Sequence, residues 1–207
     1  MTYGIHILLA TTVLASASAP ARPQSPSAAK DPATQLNEYG HRMDAGRAVP
    51  FVIRRLPVNS FPGLPSEIAE ELAGRGCLIP QTYEAHRPEN VIHASLERAG
   101  SSDWAVLCSA QGRVSLLVFF GSDPWKPMEL ASAMETGRVQ AHGTSSVLGF
   151  NWGIDPATPD QVHDAQSGMD PRPPALDHDA LADSVIDRST VYHYFSKGAW
   201  SLLELPQ

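Results

Sequence analysis

Two cysteines are the side chains of this sequence whose chemistry follows most directly from their positions. Cys77 lies in the stretch RGCLIPQ, just past the end of a predicted helix, and Cys108 lies in a predicted strand. A cysteine nucleophile needs a base beside its thiolate, and neither cysteine belongs to a recognisable nucleophile motif. In an oxidising compartment, pairing them would close a loop of roughly 32 residues and stabilise the fold by about 3 to 4 kcal/mol. We therefore predict a disulfide between Cys77 and Cys108.

Eight histidines raise the question of a metal site. The segments His163-Asp164 and Asp177-His178-Asp179 together offer nitrogen and carboxylate ligands. However, the sequence holds no His-x-x-x-His pair with a glutamate and no cysteine pair with zinc spacing. Leu181 also stands where a calcium loop would need an oxygen ligand. The candidate ligands to test are Asp177, His178, Asp179 and His163, but we predict no metal or cofactor and interpret this region as a capped helix start with a solvated acidic edge.

Other catalytic motifs are missing from the sequence. No Gly-x-Ser-x-Gly elbow is present, and the glycines are too scattered to form a phosphate-binding loop. Composition alone leaves a Ser-His-Asp arrangement open. Tyr192, Tyr194 and Trp152 could form an aromatic surface for a ligand, although aromatic residues in strands more often belong to the core. We therefore predict no catalytic residue.

The first 35 residues have the composition of a targeting segment followed by a tether. An apolar run from Ile5 to Ala15 precedes the small residues Ala15-Ser16-Ala17, which is typical of a secretory signal peptide with its cleavage site. Residues 18 to 35 are rich in Pro, Ser and Ala and hold too few large apolar residues to fold. We predict a signal peptide over residues 1 to 17, a flexible tether over residues 18 to 35 and one globular domain over residues 36 to 207.

The charge of the chain narrows the classes of partner. The formal net charge is -7, and no basic stripe is present. An acidic domain of this kind is not expected to bind nucleic acid or anionic lipid surfaces. No second long apolar segment follows the first, so we predict that the mature chain does not insert into a membrane.

Two hairpins and two helices are predicted with defined boundaries. Trp104 to Ala110 and Val114 to Phe120 read as strands around the turn Gln111-Gly112, and both of their faces are apolar, which predicts a central, doubly covered hairpin. A second hairpin turns at Lys197-Gly198 and sets Phe195 against Trp200. The predicted helices begin at Ser66 and near Thr158 or Asp160.

The remaining segments are less regular. Residues 91 to 97 alternate as a strand, residues 147 to 154 predict a strand with a glycine face, and residues 128 to 134 suggest a helical turn. A further helix is predicted after Asp177, with Leu181, Ala182 and Val185 on one side. Together these elements predict an α+β fold with a largely antiparallel sheet of about five to six strands, two or three short helices and one disulfide.

The segments RGCLIPQ, NVIHASL with DWAVLCS, and VYHYFSKGAWSLLEL resemble a group of uncharacterised exported bacterial proteins. Members of that group join a Cys-x-Ile-Pro-Gln segment, here Cys77 to Gln81, to an Asp-Trp-Ala-Val-Leu-Cys strand, here Asp103 to Cys108. The resemblance covers roughly residues 61 to 205. It implies an exported bacterial origin and brings no known activity or ligand.

These observations favour an exported, non-catalytic binding or interaction module of the bacterial envelope. Its expected partner is an envelope protein or a small ligand, and its expected location is the periplasm or the extracellular space. The alternative is a periplasmic hydrolase, with or without a metal, that uses the region around Asp177, His178 and Asp179.

Overall fold

The computed structural model describes Met1 and residues 36 to 206. Apart from Met1, the predicted signal peptide and the predicted tether lie outside the described residues. No helix in the described part of the chain is long and apolar enough to cross a membrane.

The described residues form thirteen strands, two α-helices and two single turns of 3-10 helix. The strands are β1 (Leu36–Asp44), β2 (Arg47–Pro57), β3 (Leu78–Gln81), β4 (Val91–Ala94), β5 (Asp103–Ala110), β6 (Arg113–Phe120), β7 (Asp123–Met134), β8 (Val139–Gln140), β9 (Leu148–Phe150), β10 (Trp152–Ala157), β11 (Ala180–Val185), β12 (Ser189–Ser196) and β13 (Ala199–Leu202). The helices are α1 (Ser66–Gly74) and α2 (Pro159–Ala165), and the 3-10 turns are Val58–Ser60 and Glu135–Gly137.

The strands make two sheets. The first has nine strands in the order β7-β6-β5-β3-β2-β9-β8, with β1 paired to β2 and β4 paired to β5 beside this path. The second has four strands in the order β10-β11-β12-β13. Within the described residues, every strand pair is antiparallel except β2 with β9.

The prediction of a small α+β fold with five or six strands is therefore wrong. The described chain is mostly β, with thirteen strands and only two α-helices. The error has three sources. Segments that were predicted helical are strands, no strand was predicted for β1, β2, β3 or β8, and the single strand predicted over residues 147 to 154 is two, β9 and β10.

Residues 128 to 134, predicted as a helical turn, belong to strand β7. Ala133 pairs with Val114, so this segment supplies hydrogen-bonding partners to the outer edge of β6. Leu, Ala and Met favour helix in isolation. The strand forms instead because β6 is a buried strand whose backbone groups need partners.

Residues 180 to 185, predicted as a helix capped by Asp177, form β11 in the middle of the second sheet. Leu181 packs in the core that the two sheets share, whereas Ala180 and Ala182 pack in a separate cluster with Val162 of α2. Over so few residues, the apolar pattern fits a helical stripe and a strand equally well. Pairing with β10 on one edge and β12 on the other favours the strand.

The two predicted hairpins are confirmed with their registers. In β5 and β6, Cys108 pairs with Ser115 and Trp104 with Phe119, around a turn in which Gln111 and Gly112 both have positive φ. In β12 and β13, Phe195 pairs with Trp200. A two-residue loop fixes register by simple counting, which is why these assignments could be made from the sequence.

The core lies on both faces of β5 and β6, as predicted. One face packs under Ile68 and Leu72 of α1, in a cluster that also contains the two cysteines. The opposite face packs against the second sheet, in one continuous cluster that includes Trp152 and Leu181. Helix α1, the first sheet, the second sheet and α2 therefore form successive layers.

A disulfide joins Cys77 to Cys108, as predicted, with the two Cα atoms 5.1 Å apart. Gly76 ends α1 in a left-handed conformation, with φ of 71°, and directs the chain into β3 beside β5. The bond thereby fastens the end of α1 to the central strand that the helix covers.

A buried asparagine joins the two sheets. The side-chain amide of Asn90 donates to the backbone oxygens of Pro80 (2.7 Å) and Trp152 (3.2 Å), and its oxygen accepts from the backbone N–H of Ile154 at 3.1 Å. Its own carbonyl accepts from the N–H of Leu107 at 3.0 Å. Asn90 is 2 % exposed and has φ of 67°, a conformation that asparagine tolerates better than most residues.

The predicted strand over residues 147 to 154 is divided between the two sheets at Asn151. The backbone N–H of Asn151 donates to the backbone carbonyl of Arg138, beside the first sheet. The backbone carbonyl of Asn151 accepts from the N–H of Ile186, at the end of β11. The glycine face is close-packed, but against side chains: a Cβ at Gly149 would lie 2.5 Å from the Cβ of Tyr83. The chain therefore changes sheets in the middle of an apolar run that alternates like a single strand.

Replacing both cysteines by serine should lower the free energy of unfolding by about 3 to 4 kcal/mol, because the loop that the bond closes becomes free in the unfolded chain. Urea denaturation of the two proteins measures the difference. Reductant should destabilise the unmodified protein to the same extent and leave the double variant unchanged. Alkylation of two thiols in the native protein without reductant would contradict the bridge.

Asn90→Ala should lower the free energy of unfolding by about 3 to 5 kcal/mol, because it removes the partners of the Trp152 carbonyl and the Ile154 N–H and strains a left-handed position. The Pro80 carbonyl loses one of its two donors and keeps the side-chain amide of Gln81 at 3.3 Å. The matched control is Asn90→Gly, which loses the same hydrogen bonds but tolerates the backbone conformation, and which should be about 1 kcal/mol less destabilised. A loss below about 1 kcal/mol in the alanine variant would show that the amide does not join the sheets.

Candidate functional site

Two of the four candidate ligands lie together in an open cleft beside the second sheet. Asp177 and His178 precede β11, and Tyr194 of β12 lies next to them. The cleft has a volume of about 510 Å³. It is lined by Glu97, Arg98, Asp177, His178, Tyr194, Phe195, Ser196, Lys197 and Gly198.

Both ring nitrogens of His178 face oxygen acceptors of the protein. Nε2 lies 2.9 Å from the backbone oxygen of Phe195, and Nδ1 lies 2.6 Å from Oδ1 of Asp177. A carbonyl oxygen can only accept, so Nε2 carries its hydrogen toward Phe195. The imidazole is 6 % exposed. No ring nitrogen is therefore left to act as a base toward a substrate in the cleft.

Tyr194 completes a three-residue cluster with Asp177 and His178. Its hydroxyl donates to Oδ1 of Asp177 at 2.6 Å, and its ring stacks on the imidazole with 4.5 Å between centroids. The hydrogen bond from Tyr194, followed by the one from His178, lowers the pKa of the Asp177 carboxyl. Burial, followed by the hydrogen bond to Asp177, raises the pKa of Tyr194 to about 12. The cluster thus holds a carboxylate and a neutral phenol over a wide pH range.

A Ser-His-Asp arrangement, which composition alone had left open, does not form in this cleft. Ser196 lines the cleft with Asp177 and His178. However, the position that a serine hydroxyl would need at Nε2 is occupied by the carbonyl of Phe195. A triad requires that nitrogen to take the serine proton.

The third candidate ligand, Asp179, is committed to a structural contact. Its Oδ2 accepts from the backbone N–H of Ser95 at 3.0 Å, and its own N–H donates to the carbonyl of Ser95 at 3.1 Å. This reciprocal pair joins the loop before β11 to the end of β4. The carboxylate of Asp179 is therefore bound to the backbone at Ser95 and does not join the Asp177 and His178 pair.

The fourth candidate, His163, lies in α2 and is not brought to the other three. Its Nδ1 is buried and has no hydrogen-bond partner in the described part of the chain. Within residues 36 to 206 and Met1, no group of three or more His, Cys, Asp or Glu side chains is arranged to hold a metal ion. The adjacent Asp177 and His178 are the only two of the four candidates in direct contact through their side chains.

The aromatic residues proposed as a ligand surface do not lie on one surface. Trp152 is fully buried; its indole N–H donates to Asp183 at 2.6 Å, and the guanidinium of Arg138 lies 4.0 Å above its ring. Tyr192 and Tyr194 lie on the same face of β12, and both pack at the edge of the cluster beside α2. Only Tyr194 reaches the cleft, and its pairing with Asp177 depends on the neighbouring positions of β11 and β12, which no local sequence signal reveals.

A second polar cluster was not anticipated from the sequence. The hydroxyl of Tyr83 donates to Asp187 at 2.6 Å and accepts from Gln140 at 2.9 Å, while the Tyr83 ring stacks on His142. Burial, followed by the hydrogen bond to Asp187, raises the pKa of Tyr83 to about 12. Gln140 in turn accepts from Asn151, so this cluster fastens the point where the chain passes between sheets.

Comparison of this chain with protein-family models, with curated proteins and with solved structures finds no match.

Two tyrosines should ionise late in an absorbance titration of the native protein. Tyr83 and Tyr194 have pKa values raised to about 12, so each contributes stability that is complete below pH 10 and is lost as the pH rises from about 10 to about 12. Tyr194→Phe should remove absorbance change near pH 12, and Asp177→Asn should move the Tyr194 step to lower pH.

Tyr83→Phe is the matched control, because it removes the other late tyrosine and leaves the cleft intact. The assignment fails if Tyr194→Phe removes absorbance change near pH 10 instead, or if Asp177→Asn leaves the late step unmoved.

Proposed function

We propose that this protein is an exported, non-catalytic binding or interaction module of the bacterial envelope. The observation that carries the proposal is the occupation of both His178 nitrogens by internal acceptors. The cleft gathers a carboxylate, an imidazole, a phenol and a serine, which is enough to suggest catalysis. Yet its one imidazole is bound internally and offers no nitrogen for proton transfer to a ligand.

The cleft suits a polar ligand or a polar segment of a partner protein. Glu97, Arg98 and Lys197 line it with charges of both signs. Arg98 pairs with Glu97 at 3.2 Å, and its side chain is 70 % exposed, so its guanidinium can turn to a ligand at little cost. The hydrogen bonds among Asp177, His178 and Tyr194 fix the floor of the cleft before binding, which lowers the entropy lost when a ligand binds.

The disulfide supports a location outside the cytoplasm. Disulfides persist in oxidising compartments such as the periplasm and the extracellular space. The bond between Cys77 and Cys108 is nearly buried, with both residues 4 % exposed. A structural bond in such a position agrees with the export that we propose.

The alternative, a periplasmic hydrolase with or without a metal, gains no support from a specific contact. Asp179 binds the backbone at Ser95, and His163 lies in α2, so the four candidate ligands are dispersed. A zinc site needs three protein ligands around one position, with a water at the fourth.

A binding role predicts no turnover that depends on the cleft. Chromogenic ester, phosphoester, glycoside and peptide substrates, each tested with and without added zinc, should be hydrolysed no faster by the protein than by the Asp177→Ala/His178→Ala double variant. Metal analysis of the purified protein should likewise give no difference between the two. Turnover, or stoichiometric metal, that is lost in the double variant would establish the hydrolase instead.

The same proposal predicts a partner that recognises the cleft. Immobilised protein should retain a component of envelope extract that the Arg98→Glu/Lys197→Glu variant does not retain. Lys126→Glu is the matched control, since Lys126 is exposed on β7 and does not line the cleft. Equal retention by the cleft variant and the control would show that the cleft is not the binding site.

A further inference from the structure

Strand β1 is a long sheet edge whose outer side is unpaired. Its nine residues pair with β2 on one side, and no strand in the described residues pairs with the other side. Unpaired edges invite pairing with another chain, and proteins usually obstruct them. The other free edges in the described residues are short or obstructed. The edge of β7 contains Pro124 and Pro127, that of β10 contains Pro156 and is bonded by Asn90, and β4, β8 and β13 have only four, two and four residues.

The hairpin register shows which groups of β1 point outward. Ala45 and Gly46, both with positive φ, form a two-residue loop, so the flanking pair Asp44 and Arg47 exchanges hydrogen bonds. Every second residue then bonds to β2, and the residues between point their N–H and C=O groups outward. The outward set is Asn37, Tyr39, His41 and Met43. Pro50, which pairs with His41, agrees with this alternation because no hydrogen bond to β1 is needed there.

The order of charges along β1 is self-complementary about Gly40. Reading outward from Gly40, the chain meets Tyr39 and His41, then Glu38 and Arg42. In an antiparallel pair of two β1 strands centred on Gly40, Glu38 of each copy lies opposite Arg42 of the other. Shifting the centre to His41 would instead set Glu38 against Asp44, and like charges directly opposite are unfavourable.

We propose that two copies of this chain associate by antiparallel pairing of their β1 strands about a two-fold axis at Gly40. The outward groups of Tyr39 then exchange hydrogen bonds with those of His41 in the second copy, and the first sheet becomes continuous through both. Glycine at the axis allows the strands to approach closely, and a side chain there is already forbidden, because a Cβ on Gly40 would lie 2.5 Å from the ring of Phe51.

The exposed side chains of β1 support this use of the edge. Tyr39 and Met43 are 71 % and 67 % exposed, and Leu36 at the start of the strand is 45 % exposed. Tyr39 and Met43 lie on the same face of β1, since they are four residues apart. In the proposed register, Tyr39 lies beside His41 of the second copy, and Met43 beside Asn37, so the pairing covers apolar surface that the single chain leaves in water.

Sedimentation velocity over a concentration series tests the proposal on the protein produced from its full sequence. The unmodified protein should sediment as a dimer that dissociates on dilution. Glu38→Arg sets two arginines against each other at both ends of the pair, and Arg42→Glu sets two glutamates there. Each single variant should therefore raise the dimer dissociation constant at least tenfold.

Mixing the two single variants is the decisive step. A Glu38→Arg chain opposite an Arg42→Glu chain places opposite charges together at both contacts, so the mixture should form a heterodimer while each variant alone stays monomeric. Circular dichroism checks that each variant is folded. This rescue cannot result from a folding defect, because neither chain is altered by mixing.

A proline substitution in β1 tests the backbone pairing between the two copies independently of charge. Tyr39→Pro removes an outward N–H without removing a hydrogen bond to β2, and it should abolish the dimer; Tyr39→Thr keeps the N–H and is the matched control. The proposal is overturned if the unmodified protein is monomeric at every concentration, or if a dimer persists in both Glu38→Arg and Tyr39→Pro. Because the cleft lies elsewhere, either result leaves the proposed binding function untouched.

Discussion

The two sheets hold together around one buried amide. Asn90 satisfies backbone groups of β3, β5 and β10 at once, so it fixes where the second sheet lies against the first. An apolar residue at this place would let the core collapse with no preferred register. A fully bonded amide permits only the arrangement in which its donors and acceptor are all satisfied, since each unpaired buried group costs about 1 to 3 kcal/mol. The shared core around Trp152 and Leu181 lies beside this junction.

Other acidic side chains, including the candidate ligand Asp179, also join separate parts of the fold. Asp179 fastens the loop before β11 to the end of β4, and Asp183 accepts from Trp152 and from His193. Asp187 accepts from Tyr83, and the carboxylate of Glu135 pairs with Arg55 in the core. Asp179 satisfies a backbone group, whereas Asp183, Asp187 and Glu135 satisfy polar side chains that come from other elements of the fold. This is why an acidic stripe predicted on a helix surface is distributed over separate contacts.

Local signals recovered the parts of the fold that local interactions determine. The hairpins at Gln111-Gly112 and Lys197-Gly198, helix α1, and α2 with its Thr158 cap were predicted because short turns and caps are encoded within a few residues. The strands β7 and β11 and the hairpin of β1 with β2 were not, because their strand state depends on neighbours distant in the chain. The division of residues 147 to 154 at Asn151 was missed for the same reason.

In the candidate site, too, the contacts that matter for function come from residues distant in the chain. That Asp177 and His178 touch follows from their adjacency, but the carbonyl of Phe195 at Nε2 and the hydroxyl of Tyr194 arrive from β12 through the sheet. Those two contacts decide the chemistry of His178 and Asp177. The carbonyl makes Nε2 of His178 a fixed donor, and the Tyr194 hydroxyl gives the exposed Asp177 carboxylate a second hydrogen-bond donor beside His178. Residue types in the sequence left catalysis and metal binding open only as the alternative, and the contacts that bear on it are made across strands. They leave the cleft charged at its rim and without a free proton acceptor on its imidazole.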